Sequence, residues 1–275
     1  MGRLDRVDIT LLPGAHELLA AHAAELPQRD DLCGAFCGLL ALRAAGFDAH
    51  GGEPLDQDAV ALAAGSVVSP ARADGVLPPG EPGRRDYRLP LTQIDDGDLS
   101  GTTAAGLLDA IVELGDGRLA VIPYTGPWNA ATLAGLFDLL TGLEQPASVI
   151  ANLATRYLWG GRPRVDQLLA YLLDGECDGP PPDWDVGHFA CVVARVRGPK
   201  GNLYALADTY PALGNAGVHL QPQERLAAAL ERREMPAGGV LVVASAGDAQ
   251  RIRAGARTLG LDEGIWDNGT ASGEA

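Results

Sequence analysis

Two cysteines stand one helical turn apart in DDLCGAFCGLLALRAAG, residues 30–46. Apolar residues go almost all the way round this segment, which predicts a central, buried helix from about Leu32 to Gly46. Unpaired backbone N–H groups and the helix dipole stabilise a thiolate at a helix N-terminus. Cys33 holds that position, whereas Cys37 lies one turn inside, where packing dominates. Read alone, the segment leaves open whether Cys33 is a nucleophile or a small buried thiol at a helix start, and it favours Cys37 as a core residue.

A thiolate nucleophile needs an imidazole partner, and His188 is the candidate. It follows the loop DWDVG and opens the apolar run HFACVVARV, which predicts a strand over 188–196. RGPKG joins this strand to a second one over 202–210, so the two form a hairpin. Asp208 lies near the end of the second strand, where its carboxylate can orient the imidazole. Cysteine, histidine and aspartate arranged in this way suit acyl transfer through a covalent intermediate.

Two more residues near Cys33 fit such a site. Gln28, five residues upstream, can add a side-chain amide to the Cys33 N–H in an oxyanion hole. Gly34 has no side chain and lets a substrate carbonyl approach the thiolate. A zinc site is disfavoured because Cys-x₃-Cys lacks a second close pair of ligands. We expect neither a metal nor a cofactor.

The composition and net charge of the chain exclude some classes of partner and of cellular location. The chain has 275 residues, 47% of them hydrophobic, and its 21 Lys and Arg against 36 Asp and Glu give a net charge of −15. An acidic chain repels phosphate backbones and anionic lipid, so we expect no nucleic-acid or membrane partner. No signal peptide is recognised at the N-terminus, and four cysteines in a chain of this size do not indicate a disulfide framework. These features predict a cytoplasmic globular protein.

Three regions are predicted along the chain. Residues 1–126 carry the nucleophile helix, 127–176 form a helical insertion that includes SVIANLATRYLWG, and 177–275 carry the histidine hairpin. Residues 69–101, rich in Pro, Gly, Asp and Arg, predict an irregular excursion, and the polar tail after Trp266 is expected to fray. The remaining periodic segments predict helices over 14–25, 57–65, 102–114 and 222–233 and strands over 118–124 and 239–245.

QRDDLCGAFCGLLALRAAG resembles a motif of the bacteriocin-processing C39 peptidases, and GHFACVVARVRGPKGNLYALADTYPALG resembles their histidine hairpin. The resemblance implies an α+β, papain-like fold, with a helix carrying Cys33 packed on an antiparallel sheet carrying His188. It assigns these two residues as nucleophile and base, Asp208 as the orienting acid, and Gln28 to the oxyanion hole. The interval between Cys33 and His188 is longer than in those compact domains.

The segments DLCG, LDQDAVALAAG, GPWN, LWGG, DWDVGHF, DTYP and WDNG look like the stand-alone Dieckmann cyclases of tetramate and pyridone antibiotic pathways. That resemblance implies that Cys33 accepts an aminoacyl-β-ketoacyl chain from the phosphopantetheine arm of an acyl or peptidyl carrier protein. His188 then helps a carbanion of the chain to close the ring. In these enzymes the acid precedes the histidine, which points to Asp58, with Asp56 beside it, rather than to Asp208.

Several alternatives stay open at this point. Asp208 can simply form a turn before Tyr-Pro, and Asp58 can cap a helix. The chain can also be a cysteine peptidase or amidase, or an inactive papain-like binding protein. His16, His22, His50 and His219 have no evident partner in the sequence and are expected at the surface or in structural roles. Arg84, Arg85 and Arg88 form a basic patch that can dock a carrier protein.

Overall fold

The structure, a computed structural model, describes residues 6–70 and 75–273. Residues 71–74 of the predicted excursion lie outside the described residues. The part of the chain that the structure describes contains eight α-helices and eleven strands. The helices are α1 (Ala15–Glu25), α2 (Cys33–Ala44), α3 (Gln57–Ala63), α4 (Ala104–Leu114), α5 (Ala130–Thr141), α6 (Val165–Asp174), α7 (Gln223–Glu231) and α8 (Ala249–Thr258). The strands are β1 (Asp8–Leu11), β2 (Ala49–His50), β3 (Glu53–Pro54), β4 (Val67–Val68), β5 (Thr92–Gln93), β6 (Leu119–Tyr124), β7 (Ala147–Ala154), β8 (Gly187–Arg197), β9 (Asn202–Ala207), β10 (Val218–Pro222) and β11 (Gly239–Ser245).

One seven-stranded sheet organises the fold. Its strands run in the order β10-β9-β8-β7-β11-β6, and each pairs antiparallel with its neighbours. β1 pairs antiparallel with the far end of β8. The remaining four strands form two small pairs away from this sheet, of which only β4 with β5 is parallel. The protein is therefore a mixed α/β protein with a mostly antiparallel sheet.

Helices cover both faces of the sheet because its strands are apolar on both sides. Along β8, Cys191 and Val193 join the core under α1–α4, whereas Ala190 and Val192 join the core under α5, α7 and α8. This alternation follows from the two-residue period of a strand. α2 is the central helix of its layer: it is buried from Gly34 to Leu42 and packs against β7 and β8. The predicted central helix is confirmed, and with it the packing role of Cys37, which is fully buried.

The prediction of helix for SVIANLATRYLWG is wrong. This stretch supplies β7, followed by a short 3₁₀ turn over Thr155–Tyr157. β7 lies between β8 and β11 and is buried at every position, so it lacks the polar alternation by which strands are usually recognised. A continuous apolar run of this kind resembles a buried helix. Segment 127–176 thus contributes a central strand of the sheet as well as α5 and α6.

The tail after Trp266 is ordered through residue 273, against the prediction that it frays; residues 274–275 lie outside the described residues. Asn268 accepts a hydrogen bond from the Ala104 N–H and donates one to the Thr102 carbonyl. The Gly273 N–H then donates to the Gly65 carbonyl. The tail thereby joins α4 to the loop after α3. Among the described helices, none combines the length and apolarity that crossing a lipid bilayer requires.

Candidate active site

Cys33 is the first residue of α2, where the helix leaves backbone N–H groups without partners inside the helix. Leu32 precedes it and offers no side-chain cap. The cysteine is partly exposed and lines a cavity of about 170 Å³ together with Asn152 and Arg232. Of the four cysteines, none forms a disulfide. A substrate in the cavity can therefore reach a free thiol at a helix N-terminus.

His188 and Asp208 meet where β8 begins and β9 ends. The His188 Nε2 atom lies 2.9 Å from the Asp208 Oδ1 atom, and both side chains are buried. The Cys33 sulfur also acts electrostatically on His188 and favours its charged form. Because Nε2 faces the carboxylate, Nδ1 is the ring nitrogen left for the sulfur. Cys33, His188 and Asp208 thus make up a candidate triad.

The charges of His188 and Asp208 stabilise each other. Burial lowers the pKa of His188, but the Asp208 carboxylate and then the Cys33 sulfur outweigh burial and raise it to about 10. Burial raises the pKa of Asp208, yet His188 and His219 hold it below its ordinary range. An imidazolium at neutral pH is the partner that a thiolate needs.

A second histidine fixes the Asp208 carboxylate from its other side. The His219 Nε2 atom lies 3.1 Å from Asp208 Oδ2, and the Asp208 Oδ1 atom also accepts from the Thr209 N–H at 2.7 Å. Gln221 determines the tautomer of His219: its Oε1 accepts from the Trp159 N–H, so its Nε2 donates to the Trp159 carbonyl and to His219 Nδ1. His219 Nδ1 is therefore an acceptor and Nε2–H the donor to Asp208.

His22 contacts the same aspartate through the main chain. Its Nε2 atom lies 2.6 Å from the Asp208 carbonyl oxygen, and burial lowers its pKa. Of the two expected locations, surface or structural, His22 and His219 take the structural one, with partners that were not evident in the sequence. Asp208 lies far from His22 in sequence and is separated from His219 by a turn. No local sequence pattern therefore indicates either contact.

Two aromatic side chains pack against the His188 ring. The Trp184 ring meets His188 edge-on at 4.8 Å between centroids, and the Tyr210 ring stacks on it at 6.1 Å. The Trp184 indole N–H donates to the Val76 carbonyl, which fixes its position. These rings restrict the access of water to the imidazole and help to keep it in one orientation.

Asp58, the other candidate acid, lies in a different network. It is fully buried, forms an ion pair with Arg29 at 3.1 Å, and accepts hydrogen bonds from the backbone N–H groups of Arg88 and Leu89. Asp56 is the N-cap of α3 and accepts from the Ala59 N–H. The structure thus brings Asp208, and not Asp58, to His188.

Gln28 and Gly34 have surroundings that bear on their predicted roles. Gln28 is buried, its backbone N–H donates to the Thr209 carbonyl, and its Oε1 has no hydrogen-bond partner among the described residues. It therefore lies beside the triad, and its place in an oxyanion hole stays a prediction. A Cβ atom on Gly34 would lie 2.8 Å from the Thr102 Cβ and 3.3 Å from Phe189, so α2 requires glycine here for packing. Its approach to substrate stays a prediction.

Asn152 and Arg232 line the cavity, and the sequence predictions missed both. Asn152 lies on β7, next to the residue that pairs with His188, and its Oδ1 accepts from the Arg232 guanidinium and from the Trp266 indole N–H. Arg232 follows α7 in a left-handed conformation with φ of 46°. Both side chains are buried, at 1% and 3% exposure.

The three arginines of the predicted docking patch are each neutralised by an aspartate. Arg84 pairs with Asp86, Arg85 with Asp30 and Arg88 with Asp56, at distances of 2.7, 3.1 and 2.6 Å. Their positive charge is therefore largely compensated within the chain. The patch gives a carrier protein less attraction than the sequence suggests.

A family of unknown function, DUF6885, matches residues 12–267 of the chain. The chain belongs to this family. No curated protein matches it. The DUF6885 match begins before α1 and ends after Trp266, so it includes every member of the triad and both cavity residues on β7 and after α7.

Proposed function

We propose that this protein is a cysteine-dependent acyl-transfer enzyme with Cys33 as nucleophile, His188 as acid and base, and Asp208 as the residue that orients His188. One observation carries the proposal: a buried imidazole lies between a carboxylate and a partly exposed thiol at a helix N-terminus. Burial of a charged pair carries a desolvation penalty that the attraction between its members need not repay. A functional role would explain why this pair is kept. Here the thiol also opens onto a cavity.

In the first half of the reaction, the Cys33 thiolate attacks the carbonyl carbon of a thioester or amide and forms a C–S bond. The carbonyl electron pair moves to oxygen, where backbone N–H groups at the start of α2 can stabilise it. When the carbonyl reforms, the leaving thiol or amine departs and takes the proton of the His188 imidazolium. The product is an acyl-enzyme, and His188 is then neutral.

The fold favours a papain-like arrangement. Its central helix carries Cys33 at the N-terminus and packs on an antiparallel sheet whose strand β8 carries His188. This is the arrangement that the resemblance to papain-like enzymes implies. β7, β11 and β6 extend the sheet beyond the histidine hairpin.

Within this class we infer Dieckmann cyclisation of a chain delivered by an acyl or peptidyl carrier protein in the cytoplasm. Neutral His188 removes a proton from the carbon between the two carbonyls of the bound chain. The carbanion attacks the acyl-enzyme carbonyl, the ring closes, and Cys33 leaves as the thiolate beside a re-formed imidazolium. Three segments of the cyclase resemblance support this inference by their positions: LWGG contacts Gln221, DTYP contains Asp208, and WDNG lines the cavity.

A cysteine peptidase or amidase is the second candidate, and a specific observation favours it. The acid that contacts His188 is Asp208, which follows the histidine in sequence as in the resemblance to bacteriocin-processing peptidases, whereas the cyclase pattern points to Asp58. In this reaction, water attacks the same acyl-enzyme. The nature of the attacking group separates the two candidates.

A synthetic β-ketoamide thioester tests the proposal. We expect a Cys33 acyl adduct by intact mass, followed by ring product and free thiol in equal amounts. Cys33→Ser should abolish the adduct, while Cys177→Ser, which changes an exposed cysteine, should leave it. Linear acid as the sole product would favour the hydrolase. No adduct and no turnover of thioesters or peptides would contradict acyl transfer and favour an inactive binding protein.

A further inference from the structure

Arg232 is a buried cation without an acidic partner. Among the described residues its guanidinium donates one side-chain hydrogen bond, to the neutral Asn152 Oδ1, and its Nε has no partner. No carboxylate lies within ion-pair distance of it in the described part of the chain. A buried, unpaired charge is strongly destabilising. Within the described part of the chain only the Cys33 sulfur offers this cation a compensating charge, and the cavity leaves room for an anionic group of a bound molecule.

The surrounding chain is shaped to hold this guanidinium. A Cβ on Gly187 would lie 2.6 Å from Arg232 Nη2, and a Cβ on Gly238 would lie 2.3 Å from Arg232 Cδ. Two glycines thus make room for the head and the stem of one side chain. Gly187 directly precedes His188, so the guanidinium lies at the strand end that carries the proposed base.

The guanidinium also faces the nucleophile's cavity. Arg232 and Cys33 line the same cavity, and Asn152, which holds the guanidinium, forms part of its wall. Burial lowers the pKa of Arg232, while the Cys33 sulfur favours its charged form. An anion bound to Arg232 would therefore lie beside the acyl group on Cys33.

We propose that Arg232 binds a pair of anionic oxygens on the acyl substrate, contributed by a carboxylate or by the enolate of a 1,3-dicarbonyl. A guanidinium suits both, because its parallel N–H groups match two coplanar oxygens that share one negative charge. This inference rests on the proposed acyl-transfer function. It adds that the enzyme selects an acyl chain with such an anion close to the reacting carbonyl. For cyclisation, the same contact would stabilise the enolate that attacks.

Alkylation of Cys33 by iodoacetate and iodoacetamide tests the site without knowledge of the substrate. The two reagents differ by one carboxylate, so the ratio of their rates, divided by the same ratio for N-acetylcysteine, reports anion binding. We expect this normalised ratio to be about 10- to 100-fold above one, as for a charge-assisted hydrogen bond. Arg232→Met should lower it to the value that the His188 imidazolium alone supports, and Arg232→Lys should give an intermediate value.

Arg233→Met is the matched control, because Arg233 is exposed and pairs with Glu231. It should keep the ratio of the unmodified protein. A normalised ratio near one in the unmodified protein, or one that Arg232→Met leaves unchanged, would overturn the inference. Slow labelling of Cys33 by iodoacetamide itself would instead contradict the activated thiolate of the proposed function.

Protection of the unmodified protein separates the two sources of the anion and does not depend on a folded variant. Propionate represents a carboxylate, pyrrolidine-2,4-dione represents an acidic 1,3-dicarbonyl, and propionamide is the neutral control. Slower iodoacetamide labelling with propionate alone assigns a carboxylate, and slower labelling with the dione alone or more strongly assigns the enolate. Equal protection by propionamide, or none by either anion, would overturn the inference.

Discussion

Substitution of Asp208 by asparagine is the sharpest test of the triad. Asp208 Oδ1 accepts from His188 and from the Thr209 N–H, while Oδ2 accepts from His219. An asparagine oxygen can replace only one carboxylate oxygen. Its NH₂ group then opposes an imidazole N–H, and Gln221 prevents His219 from changing tautomer. We expect Asp208→Asn to cost roughly 1–3 kcal/mol of folding free energy.

The larger effect falls on the charge of His188. Its pKa is raised from 6.5 to about 10, which corresponds to a net stabilisation of the imidazolium by roughly 5 kcal/mol after the opposing effect of burial. In the unmodified protein the imidazolium, and its contribution to stability, are fully present below about pH 6.5 and are lost as the pH rises through about 10. With asparagine, the pKa of His188 should fall toward or below about 6.5.

The assay is the rate of Cys33 alkylation by iodoacetamide against pH, followed by intact mass, together with thioester turnover. The alkaline limb of this profile reports the loss of the His188 imidazolium near pH 10. We expect it to move down by at least about two pH units in Asp208→Asn. Turnover at pH 7 should fall roughly 10²- to 10⁴-fold. Asp58→Asn is the matched control: it should destabilise the fold and leave the limb in place. A limb that stays near pH 10 in Asp208→Asn would refute the assignment, and one that moves in Asp58→Asn would favour the other acid.

Three further substitutions test the surroundings of the triad. His219→Ala removes one of the contacts that hold the pKa of Asp208 down, so acid unfolding should begin at a higher pH; an unchanged acid midpoint would contradict a positioning role. Gly34→Ala should destabilise the protein by roughly 1–3 kcal/mol in urea unfolding because its Cβ meets Thr102, and a neutral effect would mean that α2 shifts freely. Asn268→Ala removes the hydrogen bonds that tie the tail to α4, and hydrogen exchange should rise in residues 267–273; unchanged exchange would show that other contacts hold the tail.

Much of the fold could be predicted from local patterns. α2 was predicted from an apolar run that ends in glycine, and the β8–β9 hairpin from two strand-like segments around RGPKG. Such features depend on neighbours in sequence. β7 could not be recognised in this way because its burial on both faces depends on β8 and β11, which come later in the chain.

The residues of the candidate site divide in the same way, into those that local sequence indicates and those that it does not. Cys33 and His188 could be predicted as site residues because they lie at the start of a helix and of a strand. Arg232 carries no such signal, because an arginine after a helix is usually a solvated surface residue. The proposed role of Arg232 depends on its burial against Gly187 and Gly238, which is visible only in the folded chain. The choice between Asp58 and Asp208 likewise required three-dimensional contacts.

Because the tail after Trp266 lines the cavity, the cavity is completed late in synthesis of the chain. Asn268, Gly269 and Thr270 form part of the wall around Cys33, and Asn268 binds a residue that precedes it by 166 positions. The nucleophile helix is thus made early on the ribosome, but its cavity closes only after these last wall residues emerge. A nascent chain passes through a stage in which α2 exists while Cys33 has no enclosed site. The wall around Cys33 is therefore complete only after every strand of the sheet has been synthesised.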